Sequence, residues 1–283
     1  MKSHAYLNKI PQKGEYHVLV SMGGLIGSLY IPKQLSTCIV IEAPGAPCWG
    51  DTGTHKGWSE CKKHNISLFV PDYLGSSRSN GSQFSMRNCL KTLYMCEQFV
   101  KGKISAKSVV DGKLIHIQFE TILLIGSSFG GAVIPFYPRE YPDTEVRGLG
   151  FLYPTTVWGP KEYVYPDEES DEEYLYLLEN GWGNFYRNIM SSDWPGIILG
   201  REEKFIPNQN IDHLRGFWIY AVHGDQDNLV HWSRTKKYIE LLKKNDPDNN
   251  HVYWKLISNA GHGEATEAIG YEVVVSKFVK DTY

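Results

Sequence analysis

The sequence has little cysteine, and what it has is dispersed. Its five cysteines are Cys38, Cys48, Cys61, Cys89 and Cys96. An odd number without a C-x-x-C pair argues against both a disulfide framework and a zinc ribbon. Cys61 and His64 are three residues apart with His55 upstream, but no second ligand pair completes a zinc pattern. We therefore expect free thiols and no metal site.

Long apolar runs and a surplus of positive charge are also missing. The chain begins Met1-Lys2-Ser3-His4 and continues with polar residues, so neither a signal peptide nor a transmembrane helix is visible. A cytoplasmic location is the default expectation. The formal net charge of −3 gives no electrostatic reason to expect a nucleic-acid partner.

What the sequence does have is the composition and pattern of an α/β protein. Its 283 residues, 42% of them apolar, suffice for one large domain with or without an insertion. Continuously apolar runs, typical of a sheet covered on both faces, predict strands at 16–21, 28–31, 38–43, 67–70, 121–125, 148–152, 217–222 and 252–257. Helices are predicted at 85–100, 232–244 and 264–279. Gly23-Gly24 predicts an opening antiparallel hairpin, so we expect a mixed sheet that becomes parallel.

Two segments interrupt this alternation. Val109 to Ile115 predicts a small extra hairpin around the Asp111-Gly112 turn. The longer segment, from Tyr153 to about Arg215, is rich in Tyr, Trp and acidic residues, and we interpret it as a cap. Its acidic run from Asp167 to Glu173 is more typical of a solvated face than of a binding site for a cationic substrate.

A candidate nucleophile follows the predicted strand 121–125. Gly126-Ser127-Ser128-Phe129-Gly130 has the G-x-S-x-G pattern between a strand and a possible helix, a turn that exposes the serine hydroxyl at the sheet edge. Only Ser128, and not Ser127, has glycine at both −2 and +2. The Phe129 N–H and the helix dipole would then face a developing oxyanion. The run lacks both P-loop and dinucleotide-site spacing, which argues against a phosphate-binding turn and a nucleotide cofactor.

A base and an acid for this serine appear downstream in the order Ser, Asp, His. Asp225 and Asp227 lie in a loop after the predicted strand 217–222, and His262 follows the strand 252–257. A serine hydroxyl is a weak nucleophile that needs a base, and the base needs an orienting carboxylate.

These three motifs resemble those of the α/β-hydrolase superfamily, in its branch of capped esterases, thioesterases and serine aminopeptidases. The resemblance spans nearly the whole chain and implies Ser128 as nucleophile, His262 rather than His223 as base, and Asp227 rather than Asp225 as acid. It further implies an α/β-hydrolase core at 1–153 and 215–283 with a cap at 154–214. Asp72 to Ser79 resembles a family loop that shapes the pocket, in which Asp72 and Arg78 would hold each other.

The resemblance also implies an oxyanion hole built from the Phe129 N–H and an N–H near Gly45 or Ala46. This part of the chain departs from the family, which often has His-Gly where this chain has Glu42-Ala43-Pro44-Gly45. Pro135 and Pro138 should shorten or kink the helix after the nucleophile, because proline removes a backbone donor.

The expected activity is cofactor-free hydrolysis of a small-molecule carboxylic ester or thioester through an acyl-enzyme. Two alternatives stay open: an aminopeptidase or amidase acting on a small peptide, and a ligand receptor that uses the fold without turnover. The motifs predict neither the oligomeric state nor the acyl chain.

Overall fold

The computed structural model describes residues 15–34, 36–47, 50–51, 53–159, 165, 170–181 and 185–283. Within them, ten strands form one mixed sheet. They are β1 (Tyr16–Met22), β2 (Leu25–Ile31), β3 (Cys38–Ala43), β4 (Ser67–Pro71), β5 (Ala106–Ser108), β6 (Leu114–Ile115), β7 (Thr121–Ser127), β8 (Val146–Leu152), β9 (Trp218–Gly224) and β10 (Val252–Ile257). Their spatial order is β6-β5-β1-β2-β4-β3-β7-β8-β9-β10. The six strands from β4 to β10 in that order are parallel, and the remaining pairings are antiparallel.

Helices cover both faces of this sheet. They are α1 (Trp58–Lys63), α2 (Met86–Val100), α3 (Phe129–Val133), α4 (Tyr137–Glu140), α5 (Asp171–Tyr176), α6 (Trp194–Ile198), α7 (Trp232–Asn245) and α8 (Glu264–Thr282). Strand β3 shows why both faces must be covered. Its Ile39 and Ile41 pack in one hydrophobic cluster with Phe99 of α2, whereas Val40 packs in a second cluster with Val274 of α8. Alternate side chains are thus buried on opposite faces, which explains the uninterrupted apolar runs.

The first hairpin is tighter than predicted. The sequence predicted the second strand at 28–31, but β2 begins at Leu25, which pairs directly with Met22. Gly23 and Gly24 both have positive φ values and form the two-residue turn. Because only these two residues form the turn, the strand pairing extends to Met22 and Leu25, which flank it.

The second hairpin differs more from its prediction. Val109 and Val110 are not in a strand; β5 ends at Ser108, and a five-residue turn containing Gly112 leads to β6. Instead of standing apart as a decoration, β5 pairs with β1 and extends the main sheet.

The helix after β7 is interrupted as its prolines predict. α3 ends at Val133, a 3-10 turn at Ile134–Phe136 contains Pro135, and the short α4 contains Pro138. Both prolines lie in the first turn of their segments, where a missing N–H costs least. The prediction of a shortened helix is confirmed.

Residues 153–217 connect β8 to β9 and include α5, α6 and several 3-10 turns, among them Ile189–Ser191, Glu203–Phe205, Pro207–Gln209 and Asp212–Leu214. A π-helical turn, Leu177–Gly181, continues α5. The connection is fastened to the loop after β4, because Ser77 N–H donates to Phe185 O at 2.8 Å and Arg187 N–H donates to Gly75 O at 2.9 Å. None of the helices described is both long and apolar enough to cross a membrane.

Candidate active site

Ser128 lies on a strained turn between β7 and α3. Its φ of 49° and ψ of −115° are rare for a residue with a side chain. The glycines around it are required by close packing: a Cβ on Gly126 would crowd the Gly130 carbonyl, and a Cβ on Gly130 would overlap the Ala43 carbonyl oxygen. The G-x-S-x-G pattern therefore reflects the space available between β3, β7 and α3.

The structure brings Ser128, His262 and Asp227 together. His262 Nε2 lies 2.9 Å from Ser128 Oγ, and His262 Nδ1 lies 2.7 Å from Asp227 Oδ2. The three residues follow β7, β9 and β10, whose carboxyl ends meet at one edge of the sheet. A proton on Nδ1, donated to Asp227, leaves Nε2 free to accept the Ser128 proton.

The Asp227 carboxylate is buried and fully engaged. Its Oδ1 accepts the N–H groups of Leu229 and Val230 at 3.0 and 2.9 Å, and its Oδ2 accepts from His262 and from His223. Burial favours the neutral acid, but the hydrogen bonds from His223 and His262 outweigh it and hold the pKa of Asp227 below its ordinary value. The carboxylate therefore stays ionised at neutral pH.

Asp225, the other carboxylate of this loop, points elsewhere. Its Oδ1 accepts the Asn259 N–H at 2.7 Å, and so ties the loop after β9 to the one after β10. Of the two candidates, only Asp227 reaches His262.

His223 is a residue of this site to which the sequence assigned no role. It is completely buried at the end of β9, with Nε2 at 2.9 Å from Asp227 Oδ2 and Nδ1 at 2.8 Å from Thr235 Oγ1. Nε2 also lies 2.9 Å from Val230 O. The sequence did contain a signal for it. His223 lies at the end of an apolar strand and four residues before Asp227, and a buried imidazole needs hydrogen-bond partners, for which Asp227 was a candidate.

The two predicted sources of oxyanion donors flank Ser128. Phe129 is the first residue of α3, directly after the nucleophile candidate. On the other side, a Cβ placed on Gly45 would lie 3.4 Å from the Ser128 Cβ, so the Gly45 backbone passes close to the serine. The Tyr73 hydroxyl donates to Pro44 O at 3.1 Å and holds this loop. Ala46 lines two cavities, both of which adjoin Ser128.

The larger part of the first cavity is apolar. It has a volume of about 340 Å³ and adjoins Ser128 and His262. The connection between β8 and β9 contributes much of its lining: Thr155, Thr156, Val157, Trp158, Asp171, Tyr174 and Leu177. Leu229, Val230 and Arg234 line it from the β9 side.

The second cavity, of about 350 Å³, also adjoins Ser128 and His262, and it shares Ala46 and Pro47 with the first. Its lining includes Glu42, Asp51, His55 and Glu267. We call these four residues the acidic wall. In the sequence, His55 was considered in a rejected zinc pattern and Glu42 in the segment that departs from the resembled family, but no role was assigned to any of the four.

Within the acidic wall, Glu42 of β3 is buried. Its Oε2 accepts from the Tyr271 hydroxyl and from His55 Nε2 at 2.8 Å, and Glu267 Oε1 lies 3.9 Å from the same nitrogen. Burial lowers the pKa of His55, but the charge and hydrogen bond of Glu42, with Glu267 and Asp51, outweigh burial and raise it to about 9. Gly57 N–H donates to Nδ1 at 3.1 Å, which requires that Nδ1 carry no proton. His55 therefore either is neutral and accepts the Gly57 N–H at Nδ1, or is charged and carries a second proton on Nδ1. In both forms Nε2–H donates to Glu42.

Possible metal ligands also meet here. Glu42, His55 and Glu267 each offer one ligand atom, and these atoms lie within 4.8 Å of one another. Of the residues in the rejected zinc pattern, Cys61 is buried and His64 Nε2 lies 3.1 Å from Ser276 Oγ.

The loop after β4 is held as the sequence predicts. Arg78 Nε donates to Asp72 Oδ2 at 2.7 Å, and Nη2 donates to Oδ1 at 2.9 Å, a bidentate ion pair. Arg78 Nη1 also donates to the Asp51 carbonyl at 2.8 Å, which connects the loop to the acidic wall.

The acidic run of the β8–β9 connection is only partly described. Asp167, Glu168 and Glu169 lie outside the described residues, as do the aromatic residues Tyr163 and Trp182. Ser170 and Glu173 form a reciprocal capping box at the start of α5, and Glu172 and Glu173 are exposed. Glu172 and Glu173 thus lie on a solvated face, as expected, whereas Asp171 is half-buried, accepts the Gly159 N–H at 2.8 Å and lines the first cavity.

Comparisons with known proteins agree on the fold. No protein-family model matches the sequence, and no curated protein is significantly similar to it. Among solved structures, the esterase Pf2001 of Pyrococcus furiosus is 14% identical with a TM-score of 0.61, and the match covers 99% of each chain. An α/β-hydrolase enzyme from the metagenome of lagoon sediments of Mar Chica, Morocco, is 13% identical with a TM-score of 0.60, over 93% of this chain and 98% of that one. TT1662 from Thermus thermophilus is 13% identical with a TM-score of 0.61, over 94% and 97% of the two chains. The chain therefore has the α/β-hydrolase fold that its motifs predict.

Proposed function

We propose that this protein is a serine hydrolase that cleaves a carboxylic ester or thioester through an acyl-enzyme. The observation that carries the proposal is the hydrogen-bonded chain from Ser128 Oγ through His262 to Asp227, placed where two cavities meet. A serine, a histidine and a carboxylate in this arrangement have the roles of nucleophile, base and orienting acid.

In the first half of the proposed reaction, His262 Nε2 takes the Ser128 proton as Oγ bonds to the substrate carbonyl carbon. The carbonyl electron pair moves onto oxygen, where the N–H groups of Phe129 and of Gly45 or Ala46 would stabilise it. The intermediate then expels the alcohol or thiol, which receives the proton from His262.

In the second half, water attacks the acyl-enzyme with His262 again as the base, which releases the acid and restores Ser128. Asp227 stays ionised and stabilises the imidazolium form of His262 in both halves.

The segment 154–214 would serve as a cap that selects the substrate. Support comes from its contribution to the first cavity, in particular Val157, Trp158 and Leu177. Apolar walls beside the nucleophile suit an acyl chain or another apolar group, because their burial against such a group is favourable.

The decisive experiment is labelling of the native protein with a fluorophosphonate, followed by mass-spectrometric mapping of the modified residue. We expect the label on Ser128 and its loss in Ser128→Ala. We also expect turnover of p-nitrophenyl esters that falls about 10³- to 10⁶-fold in Ser128→Ala, because members of a triad act as a unit. A label on Ser127 would move the nucleophile, and tight ligand binding without product release would favour the receptor alternative.

A further inference from the structure

The ring of His262 is held at its two nitrogens, Nδ1 by Asp227 and Nε2 by Ser128. Two hydrogen bonds fix two points of the ring, and the ring can still rotate about the line between them. In the proposed reaction one of these bonds is also temporary. Once Ser128 Oγ has bonded to the substrate carbonyl carbon, only the bond to Asp227 is left from the resting site, so the imidazole needs a further restraint.

The backbone around His262 supplies this restraint on one side only. Before the histidine, the loop is fastened, since the Gln226 N–H donates to Ala260 O and the Thr266 hydroxyl donates to Gly261 O. After it comes Gly263, with a φ of 99° and no described atom within 4 Å of an added Cβ. Glycine has the widest conformational freedom of any residue, so this side of the loop restrains the ring little.

Tyr153 contacts the imidazole directly. The centroids of the two rings lie 4.7 Å apart with their planes 67° apart, which is an edge-to-face arrangement. Tyr153 is itself only 4% exposed and packs in the hydrophobic cluster that contains Leu152, Val222 and Tyr271. A tightly packed ring therefore lies against the ring of the proposed base, whose side chain is 15% exposed.

The backbone of Tyr153 is strained. Its φ of 39° is an outlier for a bulky residue, whereas glycine would adopt this value at little cost. The conformation is held by the Tyr153 N–H, which donates to Val222 O at 2.8 Å, and by the adjacent Leu152 O, which accepts the Ser128 N–H at 2.9 Å. Strain of this kind clusters at functional sites. A tyrosine in a position that suits glycine indicates that its side chain is needed there.

The Tyr153 hydroxyl has no part in proton transfer. It is hydrogen-bonded to the Ser127 side chain, and burial, together with the charges of Glu267 and Glu42, raises the pKa of Tyr153 well above its ordinary value. The phenol therefore stays neutral near neutral pH, and the part of Tyr153 that acts on His262 is its ring.

We propose that Tyr153 is a positioning residue for His262. Its ring fixes the plane of the imidazole, so that Nε2 stays directed first at Ser128, then at the leaving group and then at the attacking water. The proposal rests on the serine-hydrolase function and adds a fourth side chain to the machinery of that reaction.

The test compares kcat and KM for hydrolysis of p-nitrophenyl acetate by variants of Tyr153. Tyr153→Leu removes the ring and should lower kcat about 10- to 100-fold, as for a small misplacement of a catalytic group, with a smaller change in KM. Tyr153→Phe keeps the ring and should recover most of kcat. Tyr153→Met, whose flexible side chain fills irregular space, repeats the test if the leucine variant does not fold.

Two kinetic results would reject the proposal. A loss of kcat in Tyr153→Phe as large as in Tyr153→Leu would assign the effect to the hydroxyl. A raised KM with unchanged kcat would make Tyr153 only a wall of the second cavity, which it lines.

Tyr220→Leu is the matched control for lost packing. Tyr220 is also a buried tyrosine of the sheet with an edge-to-face partner, Phe278, and its hydroxyl donates to Asp281 at 2.8 Å. It lines neither cavity. We expect Tyr220→Leu to lower the free energy of unfolding while kcat stays close to that of the native protein. An equal loss of kcat in both leucine variants would reduce the role of Tyr153 to general stability.

A measurement on the native protein does not depend on any variant. Nuclear Overhauser contacts between the aromatic protons of Tyr153 and the ring protons of His262 should be present, and their absence would contradict the proposal.

Failure of the two proposals can be distinguished. Absence of fluorophosphonate labelling and of ester turnover in the native protein would reject the hydrolase function. Turnover by the native protein together with an undiminished kcat in Tyr153→Leu or Tyr153→Met would reject the positioning role alone.

Discussion

Asp227 accepts hydrogen bonds from two imidazoles on the same oxygen, one exposed to the cavity and the other buried. His262 changes between neutral and charged forms in the proposed reaction. Among the described residues, the nitrogens of His223 contact Asp227, Thr235 and Val230 O. At the scale of single residues, the carboxylate is therefore positioned from two directions, by the backbone N–H groups on Oδ1 and by His223 on Oδ2.

Replacement of this carboxylate should be far more damaging than replacement of its neighbour. We expect Asp227→Asn to lower kcat on the order of 10⁴-fold, because the amide leaves His262 in the wrong tautomer. Asp225→Asn should have a mild effect, since the amide oxygen can still accept the Asn259 N–H. Steady-state ester hydrolysis by the two variants compares them, and a reversed order would place the acid on Asp225.

The buried imidazole gives a second prediction at this scale. His223→Leu should lower kcat about 100-fold with little change in KM, because a misplaced Asp227 misplaces the base. His223→Gln, whose amide N–H can still reach Asp227, should restore part of the loss.

A double-mutant cycle separates positioning from general destabilisation. In the Asp227→Asn background, His223→Leu should cost little further activity, because its effect acts through the carboxylate. Losses that simply multiply would contradict a positioning role.

At the scale of elements, the turn between β7 and α3 depends on how closely β3 passes it. Gly130 is packed against the Ala43 carbonyl at the end of β3, and Gly126 against Gly130 itself. The same close approach sets the position of the Ser128 side chain and of the Gly45 backbone, so strand packing determines the geometry of the proposed nucleophile.

We expect Gly130→Ala to destabilise the protein by about 3 kcal/mol, because the new methyl group must displace backbone rather than a flexible side chain. Gly112→Ala is the control. Gly112 has a positive φ but nothing within 4 Å of an added Cβ, so only the conformational cost of about 1 kcal/mol applies. Urea unfolding of both variants measures the difference, and similar losses would show that the close contact relaxes easily.

The sequence predicts those elements whose signal is local. β3 and β10 have the predicted bounds: β3 is buried along its whole length, and β10, although an edge strand, is still a run of mostly apolar residues. α2 starts one residue later than predicted, since Ser85 caps it through its Oγ at 3.2 Å from Asn88 N. The three triad motifs are likewise local, each a few residues at the end of a strand.

The acidic wall could not be predicted in this way. Glu42 and Glu267 are far apart in the chain, and only the packing of α8 beside β3 brings them to the same histidine. His55 carried a signal as a possible metal ligand, but its real partner is a glutamate on β3. Such a pairing is determined by tertiary contacts rather than by any spacing in the sequence.

For the whole molecule, the lowered pKa of Asp227 links stability to pH. As the pH falls, the unfolded chain, with an ordinary aspartate pKa of about 3.9, takes up this proton before the folded protein does. The stabilisation by the ionised carboxylate is therefore complete above about pH 5 and is lost progressively below about pH 4.

The free energies of unfolding of the native protein and of Asp227→Asn should accordingly converge on acidification. Denaturant titrations at pH 7, 5 and 3 would measure the difference, which we expect to be constant between pH 7 and 5 and smaller at pH 3. A difference that widened at pH 3 would mean that the carboxylate binds its proton more tightly in the folded protein.

The small β5–β6 hairpin has a consequence for the behaviour of the protein in concentrated solution. An open strand edge can recruit a strand from another molecule and start aggregation. β5 pairs with part of the edge of β1. β6, which pairs with β5, has only two residues, and the charged Asp111 and Lys113 lie in the turn just before it. So short and charged an edge is a poor template for intermolecular pairing, and the hairpin thus protects the longer strand beneath it from aggregation.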